Sequence, residues 1–144
     1  MLSKASQYAI KALIFIGTEQ TEHSRVTLKD VSDAIDSPPA FTSKILQQLV
    51  SANIITSVKG SGGGFEISMK KLNTIKLIHV LKATETGDIS TSCFLGFPKC
   101  SDSNPCPVHH LYGPIRDKLN ANLLNVTIKE IMEDPRTNLF HLRN

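Results

Sequence analysis

The sequence has no long apolar run. Near its start the longest is Leu13-Ile14-Phe15-Ile16, far short of a membrane span or a signal-peptide core. It also lacks a basic tail or a lysine-rich block. Residues 1–71 carry eight basic and six acidic side chains, residues 72–144 carry eight and seven, and the net charge is only +3. Composition therefore does not provide non-specific electrostatic capture of nucleic acid, and any DNA contact has to come from a few well-placed groups. No internal repeat is present, and 40% hydrophobic with 20% charged residues excludes a collagen-like, low-complexity or wholly disordered chain. Cysteine is scarce and odd in number, three in 144 residues, so a disulfide framework is not expected and the chain reads as intracellular. A single-domain length of this kind buries roughly 70% of its unfolded surface without covalent staples.

Periodicity then gives the elements. Ala5, Ala9, Ala12, Leu13 and Ile16 form one buried stripe over a helix from Leu2 to Thr18, closed by Gly17 and the polar stretch after it. Thr27 with Asp30 makes a capping box for a second helix, whose inner face is Leu28, Val31 and Ile35. Asp36-Ser37-Pro38-Pro39 breaks that helix and begins a third, with Ser37 as cap and proline in the first turn. There Phe41, Ile45, Leu46 and Leu49 face inward, leaving Thr42, Ser43, Lys44, Gln47 and Gln48 more exposed. Ile54–Val58 and Phe65–Met69 read as short strands around a glycine-rich turn, Lys59 to Gly64. A fourth helix is expected over Asn73–Ala83. The polar stretch 86–107 has no periodicity, and Leu111, Ile115, Leu119, Leu123 and Val126 then mark a long helix with a narrow seam. Thr127 with Glu130 caps a short last helix that Pro135 ends.

Three helices followed by a hairpin have the layout of a winged helix-turn-helix, in which the second helix of a pair enters the major groove and the hairpin tip reaches phosphates or the minor groove. The expected fold is mostly α with a small β-hairpin wing, plus a long C-terminal helix. Candidate DNA-contacting residues are Ser43, Lys44 and Gln47 on helix three and Lys59, Ser61 and Gly62 on the wing. The glycines do not make a nucleotide-phosphate loop, because no Gly-Lys-Ser/Thr follows and a strand comes next. Cys93, Cys100, Cys106 and His109 are spaced C-x6-C-x5-C-x2-H within the polar stretch, and three thiolates with an imidazole can converge on one metal centre, zinc or an iron–sulfur cluster. His110 is equally available in sequence, but about 100° of helical rotation separates the two, so only one can serve.

From Tyr8-Ala9, through Ser57-Val58-Lys59-Gly60-Ser61-Gly62-Gly63-Gly64-Phe65, the three cysteines with Pro107-Val108-His109, and Gly113-Pro114-Ile115-Arg116-Asp117-Lys118-Leu119 to Thr127-Ile128, the chain resembles the IscR/NsrR/CymR group of bacterial winged-helix regulators. The resemblance implies a cytoplasmic, homodimeric transcription regulator, a repressor or an activator, acting on a palindromic operator in double-stranded DNA with no membrane partner. It implies an iron–sulfur cluster, 2Fe–2S rather than 4Fe–4S, held by Cys93, Cys100 and Cys106 with His109 as fourth ligand, and a dimerisation helix over residues 111–126. Residues 1–84 would then be the DNA-binding domain, 85–109 the sensor loop, and 110–135 the dimerisation helix with the short last helix. The sequence departs from the IscR pattern in a first cysteine gap longer by one residue, in Lys59 where arginine is common, and in Ser43 where an acidic residue stands. Two rival readings are a DNA-binding regulator whose cysteines form a thiol switch or zinc site, and a partner-protein-binding module without a cluster. An enzyme is not expected. His23, His79 and His141 stand isolated, and Asp30, Asp33 and Asp36 are explained by capping and solvation.

Overall fold

The computed structural model describes residues 2–139, so His141 lies outside the described residues. Seven α-helices are present among them: α1 (Lys4–Glu19), α2 (Leu28–Ala34), α3 (Pro39–Ser51), α4 (Met69–Thr74), α5 (Leu77–Thr84), α6 (His109–Lys118) and α7 (Ile128–Glu133). One antiparallel hairpin joins β1 (Thr56–Val58) to β2 (Gly64–Glu66), pairing Ser57 with Phe65. The core lies between α1, α3, α5 and α7, where Leu13, Ile16, Val31, Ile35, Leu46, Leu49, Val80 and Ile128 are fully buried. Burying a side chain of this size stabilises by about 1.5–3 kcal/mol, and the stripes that supply it are those of the helical period.

Caps fix the helix ends. Thr27 and Asp30 form a reciprocal capping box on α2, and Thr127 and Glu130 form one on α7. Ser3 caps α1 through the Ser6 amide. The turn before α3 differs from the expected one. Pro38 takes the cap position and Pro39 the first turn, while the Ser37 hydroxyl is buried without a hydrogen-bond partner. Both helices of the pair end with a residue in the left-handed region, Asp36 (φ 50°) after α2 and Asn53 (φ 57°) after α3. Ser37 N–H then donates to Ser32 O (3.1 Å) and Ile54 N–H to Leu49 O (2.9 Å), the six-to-one closure of a Schellman turn.

Three other expectations are corrected. Gly17 does not end α1; the helix runs two residues further, and a Cβ at position 17 would lie 2.6 Å from Met132 Sδ of α7. The glycine permits close helix packing. The fourth helix is two, because Ile75 and Lys76 are extended and pair with the strand-like stretch before α7, through Leu77 N–H to Val126 O (2.9 Å) and Ile128 N–H to Ile75 O (2.9 Å). The long helix stops at Lys118 and continues as one π-helical turn, Leu119–Leu123, five residues after the interior Pro114. Its seam is nonetheless open, with Leu111 61%, Ile115 62% and Leu123 51% exposed.

Candidate metal centre and nucleic-acid interface

The wing is shorter than its apolar residues suggest, and its tip is shaped by absent side chains. A Cβ at Gly63 would stand 2.4 Å from Val58 O, and one at Gly64 2.7 Å from Val26 O. The second close approach exists because Val26 adds to the hairpin as a third edge, exchanging bonds with Phe65 (3.1 and 2.8 Å). Behind the wing, Arg25 pairs with Glu66 (2.9 Å) and donates to Gly62 O (3.3 Å). The Gln20 amide clamps the far end of β2, donating to Ile67 O (2.6 Å) and accepting from Ile67 N–H (2.7 Å). Lys59 and Ser61 are left exposed at the turn. On α3, Lys44 and Gln47 are exposed and Ser43 is half-buried, its hydroxyl accepting from Gln47 Nε2 (3.3 Å). Thr42 is fully buried, which removes it from the exposed polar face that the sequence suggested.

The segment after α5 is a chain of short turns rather than a structureless loop. Glu85 anchors its start, its carboxylate accepting from Ser3 N–H (2.8 Å) and Ser6 Oγ (2.6 Å) at the head of α1. Burial pushes the Glu85 carboxyl up, but those donors outweigh it and hold the group below its ordinary value. Asp88 accepts from the Ser90 amide and hydroxyl, and Ser90 O accepts from Asn120 Nδ2 (2.8 Å) in the π-helical turn. Each cysteine then sits at a bend: Cys93 O accepts from Gly96 N–H (3.0 Å), Cys100 N–H donates to Phe97 O (3.3 Å), and Cys106 O accepts from His109 N–H (3.0 Å).

These bends bring the three sulfurs together. Cys93, Cys100 and Cys106 are half-buried, unlinked thiols whose Sγ atoms all lie within 4.8 Å of one another, with Cys93 and Cys106 3.5 Å apart. Burial alone pushes the Cys93 thiol up. Bonds from the Phe97 and Leu95 backbone and from Cys106 and Cys100 overcome this and bring it down to about 7, whereas Cys100 is held above the ordinary thiol value by burial and by the neighbouring sulfurs, against a backbone bond at Cys106. A cavity of about 380 Å³, fronted by Phe97, Pro98, Cys100, Pro105, Cys106 and Pro107, opens beside two of the sulfurs.

The structure separates the two histidines. His109 opens α6 with its Nδ1 3.2 Å from Cys100 Sγ, while His110 is exposed. The other ring nitrogen of His109, Nε2, lies 2.9 Å from Asp102 Oδ1. Asp102 and Arg25 went unnoticed in the sequence. Nothing in a spacing of seven along an irregular stretch signals that an aspartate meets a histidine, and Arg25 belongs to a segment with no periodicity. His79 serves its own helix, accepting from Lys76 N–H (3.0 Å).

A helix pair, a braced hairpin and a separate stretch carrying three thiols have the architecture of a winged helix-turn-helix protein, a class built to bind DNA. The family match agrees. Residues 2–134 match the family described as "Rrf2: Iron-dependent Transcriptional regulator", and the chain belongs to that Rrf2 family. Among curated relatives it is similar to the HTH-type transcriptional regulator IscR of Vibrio vulnificus (strain YJ016), 26% identical over 133 residues, 92% of this chain and 77% of the relative. It is likewise similar to IscR of Escherichia coli O1:K1 / APEC, 25% identical over 92% of this chain and 80% of the relative. The fold is shared with CymR, the global cysteine regulator of B. subtilis, at TM-score 0.74 and 17% identity over 92% of this chain and 95% of that one. It is shared with T. potens IscR at TM-score 0.71 and 16% identity over 97% and 91%. Among the described residues no helix is long and apolar enough to cross a membrane.

Proposed function

We propose that this regulator is a cytoplasmic homodimer whose affinity for a palindromic operator is switched by an iron–sulfur cluster on the cysteine stretch. The observation that carries the proposal is the convergence of three unlinked thiols beside His109, a donor set of three sulfurs and one nitrogen that suits a cluster. Cys93, Cys100, Cys106 and His109 would hold it, as a 2Fe–2S group. When bound, it supplies a redox- and iron-sensitive cross-link of the stretch. Residues 1–84 act as the DNA-binding part, 85–109 as the sensor and 110–135 as the dimerisation part. Ser43, Lys44 and Gln47 meet base edges or phosphates, and Lys59, Ser61 and Gly62 meet the backbone or minor groove. Leu111, Ile115 and Leu123, open to water in the single chain, form the dimer seam.

The chain's own bonds supply a route between the parts. Glu85 ties the start of the cysteine stretch to Ser3 and Ser6, and α1 packs on α3. Asn120 ties Ser90 to the π-helical turn, and Cys106 leads directly into His109 and α6. A rearrangement of the stretch pulls on both helices, and a coupling of about 1–3 kcal/mol suffices to change DNA affinity 5- to 150-fold. The test is anaerobic reconstitution followed by absorption spectroscopy and operator binding. Iron uptake that Cys100→Ala abolishes supports the reading; no uptake by the wild type, or equal uptake by the variant, sinks it.

One observation favours a second reading, a thiol switch. Cys93 and Cys106 lie 3.5 Å apart and the Cys93 thiol is brought to about 7, so a two-electron oxidant could remove two electrons and two protons to join them. An oxidised form is recorded for Staphylococcus aureus CymR, which shares the fold at TM-score 0.70 and 19% identity over 92% of this chain and 96% of that one. Mass spectrometry after peroxide treatment, set against the iron content of the anaerobic protein, separates the two.

A further inference from the structure

His109 is contacted on both ring nitrogens, and only one contact belongs to the thiol cluster. Nδ1 faces Cys100 Sγ at 3.2 Å; Nε2 faces the carboxylate of Asp102 at 2.9 Å. An imidazole can give a metal only the nitrogen that lacks a proton. Which nitrogen that is depends on the bond made by the other. A carboxylate only accepts, so its partner nitrogen must carry the hydrogen. Nδ1 is then left with its lone pair directed at Cys100 Sγ.

We propose that Asp102 is the positioning residue for His109, its carboxylate holding the Nε2–H so that Nδ1 is presented as the fourth ligand beside Cys100. The inference rests on the reading of the cysteine stretch as a metal or cluster site. The backbone around Asp102 is set for this task. Ser101 and Asn104 exchange backbone bonds (3.2 and 3.1 Å), the Ser101 and Ser103 hydroxyls lie 3.0 Å apart, and Asn104 Nδ2 donates to Lys99 O (3.1 Å). This closed turn fits between Cys100 and Cys106 and brings Asp102 to the Nε2 edge of the ring. The His109 side chain is 13% exposed and that of Asp102 98%, so the aspartate contributes its bond to the histidine rather than packing. Its loss should therefore leave the fold intact. His110, one residue on, has no such partner among the contacts of the described residues and is exposed.

The test uses the full chain, reduced and free of iron, titrated anaerobically with Co²⁺ while the visible absorption of a thiolate-ligated tetrahedral site is followed. Asp102→Ala is expected to weaken Co²⁺ binding about 10- to 100-fold, the usual effect of removing a partner of a ligating histidine. Asp102→Asn, whose amide oxygen still accepts from Nε2–H, should stay close to wild type. Adding Asp102→Ala to His109→Ala should cost nothing further, because the aspartate acts through the ring. In the metal-free protein, a hydrogen-bonded Nε2 proton of His109 should be visible by NMR in wild type and Asp102→Asn and missing in Asp102→Ala. Wild-type protein that binds no Co²⁺ overturns the metal reading and this inference with it. Wild-type binding that Asp102→Ala leaves unchanged, or an equal loss with and without His109, overturns the inference alone.

Discussion

The winged-helix half and the cysteine stretch are built on different physical terms. In the first, Leu13, Ile16, Ile35, Leu46 and Leu49 are fully buried and the backbone runs in capped helices. In the second, Phe94, Leu95 and Phe97 stand 48–69% exposed, and no residue from 86 to 107 belongs to the described core. The stretch keeps its shape by turns, the anchoring of Glu85 and Asn120, and the mutual approach of three thiols. One region owes its conformation to apolar burial. The other has little burial to lose and holds its three sulfurs close together. On the proposed reading, a sensor placed there changes shape without unfolding the winged-helix half.

The contrast can be broken or sharpened experimentally. The largest effect is expected at the core, where Leu46→Ala should cost about 2–5 kcal/mol in urea unfolding, enough to abolish cooperative folding in a marginally stable domain. Cys100→Ser should remove metal uptake while changing the unfolding free energy of the metal-free protein by less than about 0.5 kcal/mol, as a half-buried side chain outside the core. A large loss of stability there would erase the distinction between the regions. Thr27→Ala removes the cap of α2 and should cost about 1 kcal/mol, read by thermal unfolding. The smallest effect concerns Glu85. Its carboxyl is held below its value of 4.5 in the unfolded chain, so its contribution is fully present above that pH and is lost as pH falls through the lower folded value. The stability difference between wild type and Glu85→Gln, measured by urea unfolding at pH 7 and pH 3.5, should shrink on acidification.

The same contrast explains what could be read from sequence. Helical stripes and capping boxes are local patterns, so the helix pair, the wing and both Thr-based caps were legible, as were the cysteines as a group. Thr42 reads as exposed because its own side chain is polar and Ser43 and Lys44 follow it, while its position on α3 faces inward. Gly17 and the break at Ile75–Lys76 depend on α7, more than fifty residues away, and no local signal carries that contact. The bond from Asp102 to His109 required the path of an irregular stretch, which periodicity does not describe.

The turn of the wing holds four glycines, and at Gly63 the Val58 carbonyl forbids anything larger. That leaves Lys59 and Ser61 as the turn's whole chemical vocabulary. On the proposed reading, a tip so equipped meets the minor groove with one cation and one hydroxyl, which follow its breadth and charge but distinguish little beyond A·T from G·C. On that reading most of the discrimination between operators is spelled elsewhere, and base changes beneath the wing should register mainly through groove shape.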